Sequence, residues 1–171
     1  MAVRFYGDFK NDVGDYFRIN IYDNDYSSSA TELTVATPGF TLTYEGNNQE
    51  QYQPIIPSRC DFTFYNEGGA FDTFLNSVLP AASESRFPVE ILTNPGFPGS
   101  QTVFWRGLLL TEQTQQMDEP TPSAVNFTAS DDLAQLKQHT FDELSDATGD
   151  DVIIKRVHEM LSLTRCKSLY T

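Results

Sequence analysis

The chain is poor in cysteine, and this scarcity argues against two common ways of stabilising a small domain. Only Cys60 and Cys166 occur among 171 residues, far apart and without a CxxC or Cys/His ligand spacing. Disulfide frameworks and structural zinc sites depend on clustered cysteines. We therefore predict two reduced, partly buried thiols and no metal site.

Basic residues are also few, and this bears on possible partners. There are 11 Lys and Arg against 24 Asp and Glu, which gives a net charge of −13 and a pI of about 4.3. Affinity for nucleic acid comes largely from clustered Lys and Arg, so we predict that no nucleic acid is bound. The charge is uneven, because residues 1–150 carry 22 acids and 7 bases whereas residues 151–171 carry 2 acids and 4 bases.

Long apolar runs are absent from the sequence. The amino terminus has no basic stretch followed by an apolar segment, which a secretory signal would require. No run of residues approaches the length of a membrane span. We expect a protein that is made in a cytoplasm, is soluble there and does not insert into a membrane.

What the sequence does have is alternation of apolar and polar residues, the pattern of half-buried strands. Turn residues separate these segments, and Thr37-Pro38-Gly39 predicts a hairpin between two of them. The two segments that flank the loop at 94–100 are expected to pair as antiparallel neighbours. The predicted strands cover residues 16–22, 33–36, 40–44, 60–65, 86–92, 103–110 and 125–129.

Helical periodicity appears in three places. Apolar residues at i, i+3, i+4, i+7 and i+8 predict a short amphipathic helix that stops at Pro80; they are Phe71, Phe74, Leu75, Val78 and Leu79. Ser130 predicts the cap of a second short helix, whose first turn would carry Asp131 and Asp132. A capping-box spacing predicts a third helix that begins at about residue 150.

These elements predict a mainly β (α+β) fold, an antiparallel β-barrel or sandwich with two short helices and a C-terminal helix. We expect a β-barrel domain over residues 1–147, and a C-terminal helix with a basic docking tail over residues 148–171. This tail could pack against the acidic body of its own chain or against an acidic neighbouring subunit, because its charge is opposite to that of the body. Its candidate interface residues are Lys155, Arg156, Arg165, Lys167, Leu169 and Tyr170.

Motifs of enzymes are not evident. His139 and His158 lie in no HExxH or other ligand spacing, and GxSxG, GxxxxGK[ST] and GxGxxG do not occur. The sequence therefore predicts no catalytic residues, no cofactor and no enzyme activity. Asp23-Asn24-Asp25 begins like a calcium loop, but the loop lacks the Gly and Glu that an EF-hand requires, so an Asx turn is the better interpretation.

Aromatic residues leave a second function open, a carbohydrate-binding β-sandwich or adhesin. Such a site would need exposed aromatic and amide side chains, and its first candidates are Tyr44, Asn47, Asn48, Gln51 and Tyr52; Tyr22, Tyr26 and Trp105 are further aromatic candidates. In a β-rich protein most aromatic side chains pack in the core, and we expect this of Trp105. A hydrolase of cell-wall polymers is a third interpretation, which would need two facing carboxylates.

Six segments in one order resemble a known family. They are residues 17–25, 40–46, 54–58, 86–91, 104–107 and 128–137, within a likeness that covers about residues 5–160. Together they are similar to the amino-terminal module of tail-tip or baseplate hub proteins of tailed bacteriophages. The resemblance implies a β-barrel that assembles into a ring, continues the tail tube and carries receptor-binding or cell-puncturing parts. It also implies copies of itself and other phage tail proteins as partners, a location in the virion tail and no catalytic residues.

Overall fold

A computed structural model describes residues 2–44, 56–80, 82–83, 85–94, 102–116 and 122–131. The fold is mainly β, as predicted. The strands are β1 (Ala2–Lys10), β2 (Tyr16–Asp23), β3 (Thr31–Glu32), β4 (Val35–Tyr44), β5 (Ser58–Asn66), β6 (Pro88–Thr93), β7 (Thr102–Leu109), β8 (Gln115–Gln116) and β9 (Ser123–Ser130). Helical segments are α1 (Ala70–Thr73), which continues as a π-helical turn (Phe74–Val78), and a 3-10 turn (Thr111–Gln113).

The described strands form one curled sheet in the order β3-β1-β2-β6-β7-β9-β5-β4, with β8 added to β9. Every pair is antiparallel except β1 with β3, which makes the sheet mixed. The two edge strands are consecutive in the chain: the Leu33 N–H donates to Tyr6 in β1, and the Thr34 carbonyl accepts from Tyr65 in β5. No ladder joins β3 to β4 among the described residues, so a curled open sheet replaces the predicted closed barrel or sandwich.

A glycine permits the two ends of the sheet to approach. A Cβ on Gly7 in β1 would collide with the side chains of Val35 in β4 and Phe64 in β5. Only glycine leaves the space for this close approach. β1 and β4 therefore lie side by side without forming a ladder.

The predicted hairpin around Thr37-Pro38-Gly39 is wrong. Residues 35–44 form one strand, β4, which pairs with β5 at Val35 and again from Phe40 to Tyr44. Val35 lies opposite Phe64 and Phe40 opposite Phe62, so the residues between Val35 and Phe40 form a bulge. Proline and glycine within a strand mark bulges as well as turns, and the φ of 91° at Gly39 fits this role. Strand β1 was not predicted, because Gly7 occupies one of its inward positions.

The core is rich in phenylalanine and is closed at one end by the predicted helix. Phe71, Phe74, Leu75 and Leu79 are buried and Val78 is half-buried, which confirms the apolar stripe. The Leu79 N–H donates to the Phe74 carbonyl, the i to i+5 bond of a π turn. The core rings lie 5.0–6.4 Å apart between centroids; they belong to Phe5, Phe62, Phe64, Phe71, Phe74, Phe87 and Phe127. We call the end of the sheet that is covered by residues 70–78 the helix end.

The other predicted strands are confirmed, including the antiparallel pairing of β6 with β7. Ser130 is the last residue of β9, so it belongs to a strand. The remainder of the second predicted helix, the third helix and the domain boundary at residue 147 lie outside the described residues.

Candidate functional site

The end of the sheet opposite the helix carries a second aromatic cluster, which we call the phenylalanine end. Its members are Phe9, Phe17, Phe40 and Phe104, with ring centroids 5.4–5.9 Å apart. The first three are half-buried against the core, whereas Phe104 is 51% exposed. This end therefore presents aromatic surface to solvent in a way that the helix end does not.

A β-bulge in β7 explains the position of Phe104. Ile91 pairs with Trp105 and Leu92 pairs with Val103, so Phe104 has no partner in β6. Bulges re-aim side chains. Consecutive aromatic residues can therefore pack in two places: Trp105 is buried in the core, as predicted, and the Phe104 ring lies on Phe17 and Phe40.

Further apolar side chains are exposed near this cluster. Val103, which precedes Phe104 in β7, is 39% exposed, and Tyr16, which precedes Phe17 in β2, is 48% exposed with its ring against the Lys10 ammonium. Val13 projects from the turn between β1 and β2, which the Asn11 side chain holds by accepting from the N–H groups of Gly14 and Asp15 at 2.8 and 2.7 Å. The phenylalanine end thus leaves apolar side chains exposed, and contiguous apolar surface of this kind marks contact sites in other proteins.

At the helix end, the segment that resembled a calcium loop is an ion-pair cluster. The Asp25 N–H donates to Asp23 Oδ1, which confirms the predicted Asx turn. The Asp23 carboxylate is fully buried and accepts from Arg4 at 2.6 Å and from Arg86 at 2.9 Å. Burial opposes ionisation, but hydrogen bonds from Arg86, the Asp25 N–H and Arg4 outweigh it and lower the pKa of Asp23. This cluster ties the start of β1, the end of β2 and the segment before β6 together.

A buried hydrogen-bond chain joins the end of β9 to β5 and β7. Ser58 donates its hydroxyl to the Asp131 carboxylate at 2.6 Å and accepts from the Trp105 indole N–H at 2.9 Å. The Ser58 backbone N–H also donates to Asp131, at 2.8 Å. Asp131 was predicted in a helix turn, and its contact with a residue 73 positions away could not be found from local pattern. These hydrogen bonds fix the positions of three strands relative to one another.

Most described aromatic candidates for a sugar-binding face have other roles. Tyr22 donates to Glu90 at 2.8 Å, and burial together with this bond raises the pKa of Tyr22 to about 12. Tyr26 donates to the Ser29 carbonyl and stacks beneath the Arg4 guanidinium, and Trp105 belongs to the core. Tyr44, 66% exposed, keeps the exposure that such a site needs; Asn47, Asn48, Gln51 and Tyr52 lie outside the described residues.

The predicted interface residues Lys155, Arg156, Arg165, Lys167, Leu169 and Tyr170 also lie outside the described residues, so their role stays a prediction. Where the chain is described, no group of three or more His, Cys, Asp or Glu side chains is placed to hold a metal ion. Within the same ranges, none of the helices has the length and apolar character needed to cross a bilayer. No protein-family model, curated protein or solved structure matches the chain.

Proposed function

We propose that the chain is a structural component of a phage virion tail, a ring subunit at the tail tip or baseplate hub. In this role it acts by self-assembly and links the tail tube to distal tail parts. Its partners are copies of itself and other tail proteins, and it assembles in the host cytoplasm before it becomes part of the virion. The order of the six sequence segments supports the proposal, together with one surface of the fold.

The observation that carries the proposal is the exposure of the phenylalanine end. Phe104 keeps half of its surface in solvent while its ring contacts Phe17 and Phe40, and the preceding residue Val103 is 39% exposed. Burying apolar surface contributes about 25 cal/mol per Å², so a cluster of this kind favours association. Aromatic residues are also enriched where protein interfaces are most tightly packed. Contact between copies through the phenylalanine end would bury apolar surface that stays exposed to water in a monomer.

The net charge of −13 opposes self-assembly. Copies of a strongly acidic chain repel one another, and dissolved salt screens that repulsion. Apolar contacts do not weaken when salt is added. If the phenylalanine end joins the copies, the oligomer should therefore become more stable as ionic strength rises.

Size-exclusion chromatography with light scattering on the full chain tests the proposal. We expect an oligomer whose share rises with salt and falls in the Phe104→Ser variant. Tyr65→Ser is the matched control, because Tyr65 is an exposed aromatic residue on β5, away from the phenylalanine end. A chain that is monomeric at every salt concentration, or an oligomer equally sensitive to both substitutions, would contradict the proposal. Electron microscopy of phage particles with antibody against the chain then tests its location in the tail.

A further inference from the structure

A second surface feature is a groove on the outer face of β4, β5 and β9, away from the core. It encloses about 540 Å³, within the range of about 300–1,000 Å³ usual for small-molecule sites. The polar residues of its floor are Thr41, Arg59, Asp61, Thr63, Asn126 and Thr128; Pro38 and Gly39 lie along one side, and Glu112 and Gln113 along another. We call it the outer groove.

Strand alternation places the polar floor. Cys60, Phe62 and Phe64 of β5 point into the core, so Arg59, Asp61 and Thr63 take the opposite face. Register then adds partners on both sides: Thr128 and Thr41 lie opposite Asp61, and Asn126 lies opposite Thr63.

Hydrogen bonds hold several of these side chains in fixed positions. Asp61 accepts from Thr128 at 2.7 Å and from Arg59 at 2.9 Å, so the two charges of the floor compensate each other. The Thr63 hydroxyl donates to the Asn126 side-chain Oδ1 at 2.6 Å, which fixes the side-chain amide. Groups held in place lose little conformational freedom when a ligand binds.

Donors and acceptors remain for a ligand. Among the described residues, none accepts from the Asn126 amide N–H groups, and none pairs with the side chains of Thr41, Glu112 or Gln113. The groove therefore offers amide donors, a hydroxyl and carboxylate oxygens in one concave surface. Among the described lining residues Arg59 is the one cation, and it is already paired with Asp61, so this lining does not favour phosphate or other anions.

We propose that the outer groove binds a neutral saccharide. A sugar presents several hydroxyl groups that both donate and accept, which matches the mixture of donors and acceptors in the floor, where Arg59 and Asp61 are paired with each other. Pro38 is exposed at one side of the groove, and the C–H face of a sugar packs against its ring. An apolar ligand is disfavoured, because it would desolvate the free amide and carboxylate groups without replacing their hydrogen bonds.

The test is retention of the full chain on an array of defined glycans, both neutral and acidic. We expect neutral glycans to retain it, and the Gln113→Ala/Asn126→Ala double variant to bind about tenfold more weakly, as losing one or two hydrogen bonds to a neutral ligand implies. Asn76→Ala is the matched control, since it removes an exposed amide from the π-helical turn. That variant should bind within about twofold of the original chain.

Three results would overturn the proposal: no glycan retained, retention by acidic glycans alone, or equal retention of the double variant and the original chain. Circular dichroism establishes that the double variant is folded. If it is not, Gln113→Ala alone serves, because its side chain is exposed on the 3-10 turn. Self-assembly is measured separately by light scattering. A failure to bind glycans therefore does not affect the test of oligomer formation, and a failure to form oligomers does not affect the test of glycan binding.

Discussion

Replacing Asp23 by asparagine should destabilise the protein strongly while leaving side-chain size almost unchanged. The carboxylate is fully buried between two guanidinium groups, with nitrogen to oxygen distances of 2.6 Å to Arg4 and 2.9 Å to Arg86. Arg4 and Arg86 are only 14% and 25% exposed themselves. The substitution would leave two partly buried cations without their shared anion.

The size of the effect follows from that burial. Removing one partner of a buried ion pair costs about 3–5 kcal/mol. Arg86 keeps a quarter of its surface in water and also pairs with Asp25 at 3.4 Å, so we expect the lower end of the range, about 3 kcal/mol. For a chain of this length that corresponds to a fall in Tm of about 6–12 °C.

Urea unfolding at neutral pH, followed by the fluorescence of Trp105, measures this difference. Asp8→Asn is the matched control, because Asp8 forms a bidentate pair with Arg18 at 2.7 Å but its carboxylate is 37% exposed, whereas that of Asp23 is fully buried. Exposed pairs contribute at most about 1 kcal/mol. If the two substitutions cost the same, the buried cluster does not stabilise the fold as we argue.

The pH dependence gives an independent check. Because the pKa of Asp23 is lower in the folded than in the unfolded chain, its contribution is complete above the unfolded value of about 3.9. It is lost as pH falls through the lower folded pKa. The stability difference between the original chain and Asp23→Asn should therefore shrink below about pH 4. A difference that stays constant into strong acid would refute the assignment.

Two further predictions concern the core. Cys60 is fully buried, and this burial, together with the nearby Asp61 carboxylate, raises the pKa of its thiol to about 12. In a Cys166→Ser background, a thiol reagent at neutral pH should therefore label Cys60 only after unfolding. Labelling of the native protein as fast as the denatured protein would contradict this. Gly107→Ala should cost about 1–3 kcal/mol, because the new Cβ would collide with the Trp105 ring and lie 2.6 Å from the Ser130 carbonyl oxygen. The urea midpoint of unfolding measures this cost. An unchanged midpoint would contradict the prediction, because it would mean that β7 and β9 move apart to accommodate the methyl group without loss of stability.

Local pattern was sufficient wherever one period dominated. Alternation along β2, β5 and β9 and the five apolar residues that end at Leu79 predicted strands and a helix that the structure confirms. It failed at positions where glycine or proline serves the packing of the sheet. Strand β1 was not predicted because Gly7, at one of its inward positions, has no side chain to continue the apolar alternation. Pro38 and Gly39 were predicted to form a turn, although they lie in a bulge of β4.

The sequence by itself therefore determined the β-rich class, the short amphipathic helix, the Asx turn at Asp23 and the burial of Trp105, because each depends on neighbours within a few residues. Only the tertiary structure decided that the two edge strands would meet through Leu33 and Thr34, that Asp131 would bind Ser58, and that four phenylalanines would gather at one end. The outer groove has the same origin. Each of these features joins side chains from strands distant in the chain, and strand order and register, which bring them together, leave no periodic signal in the sequence.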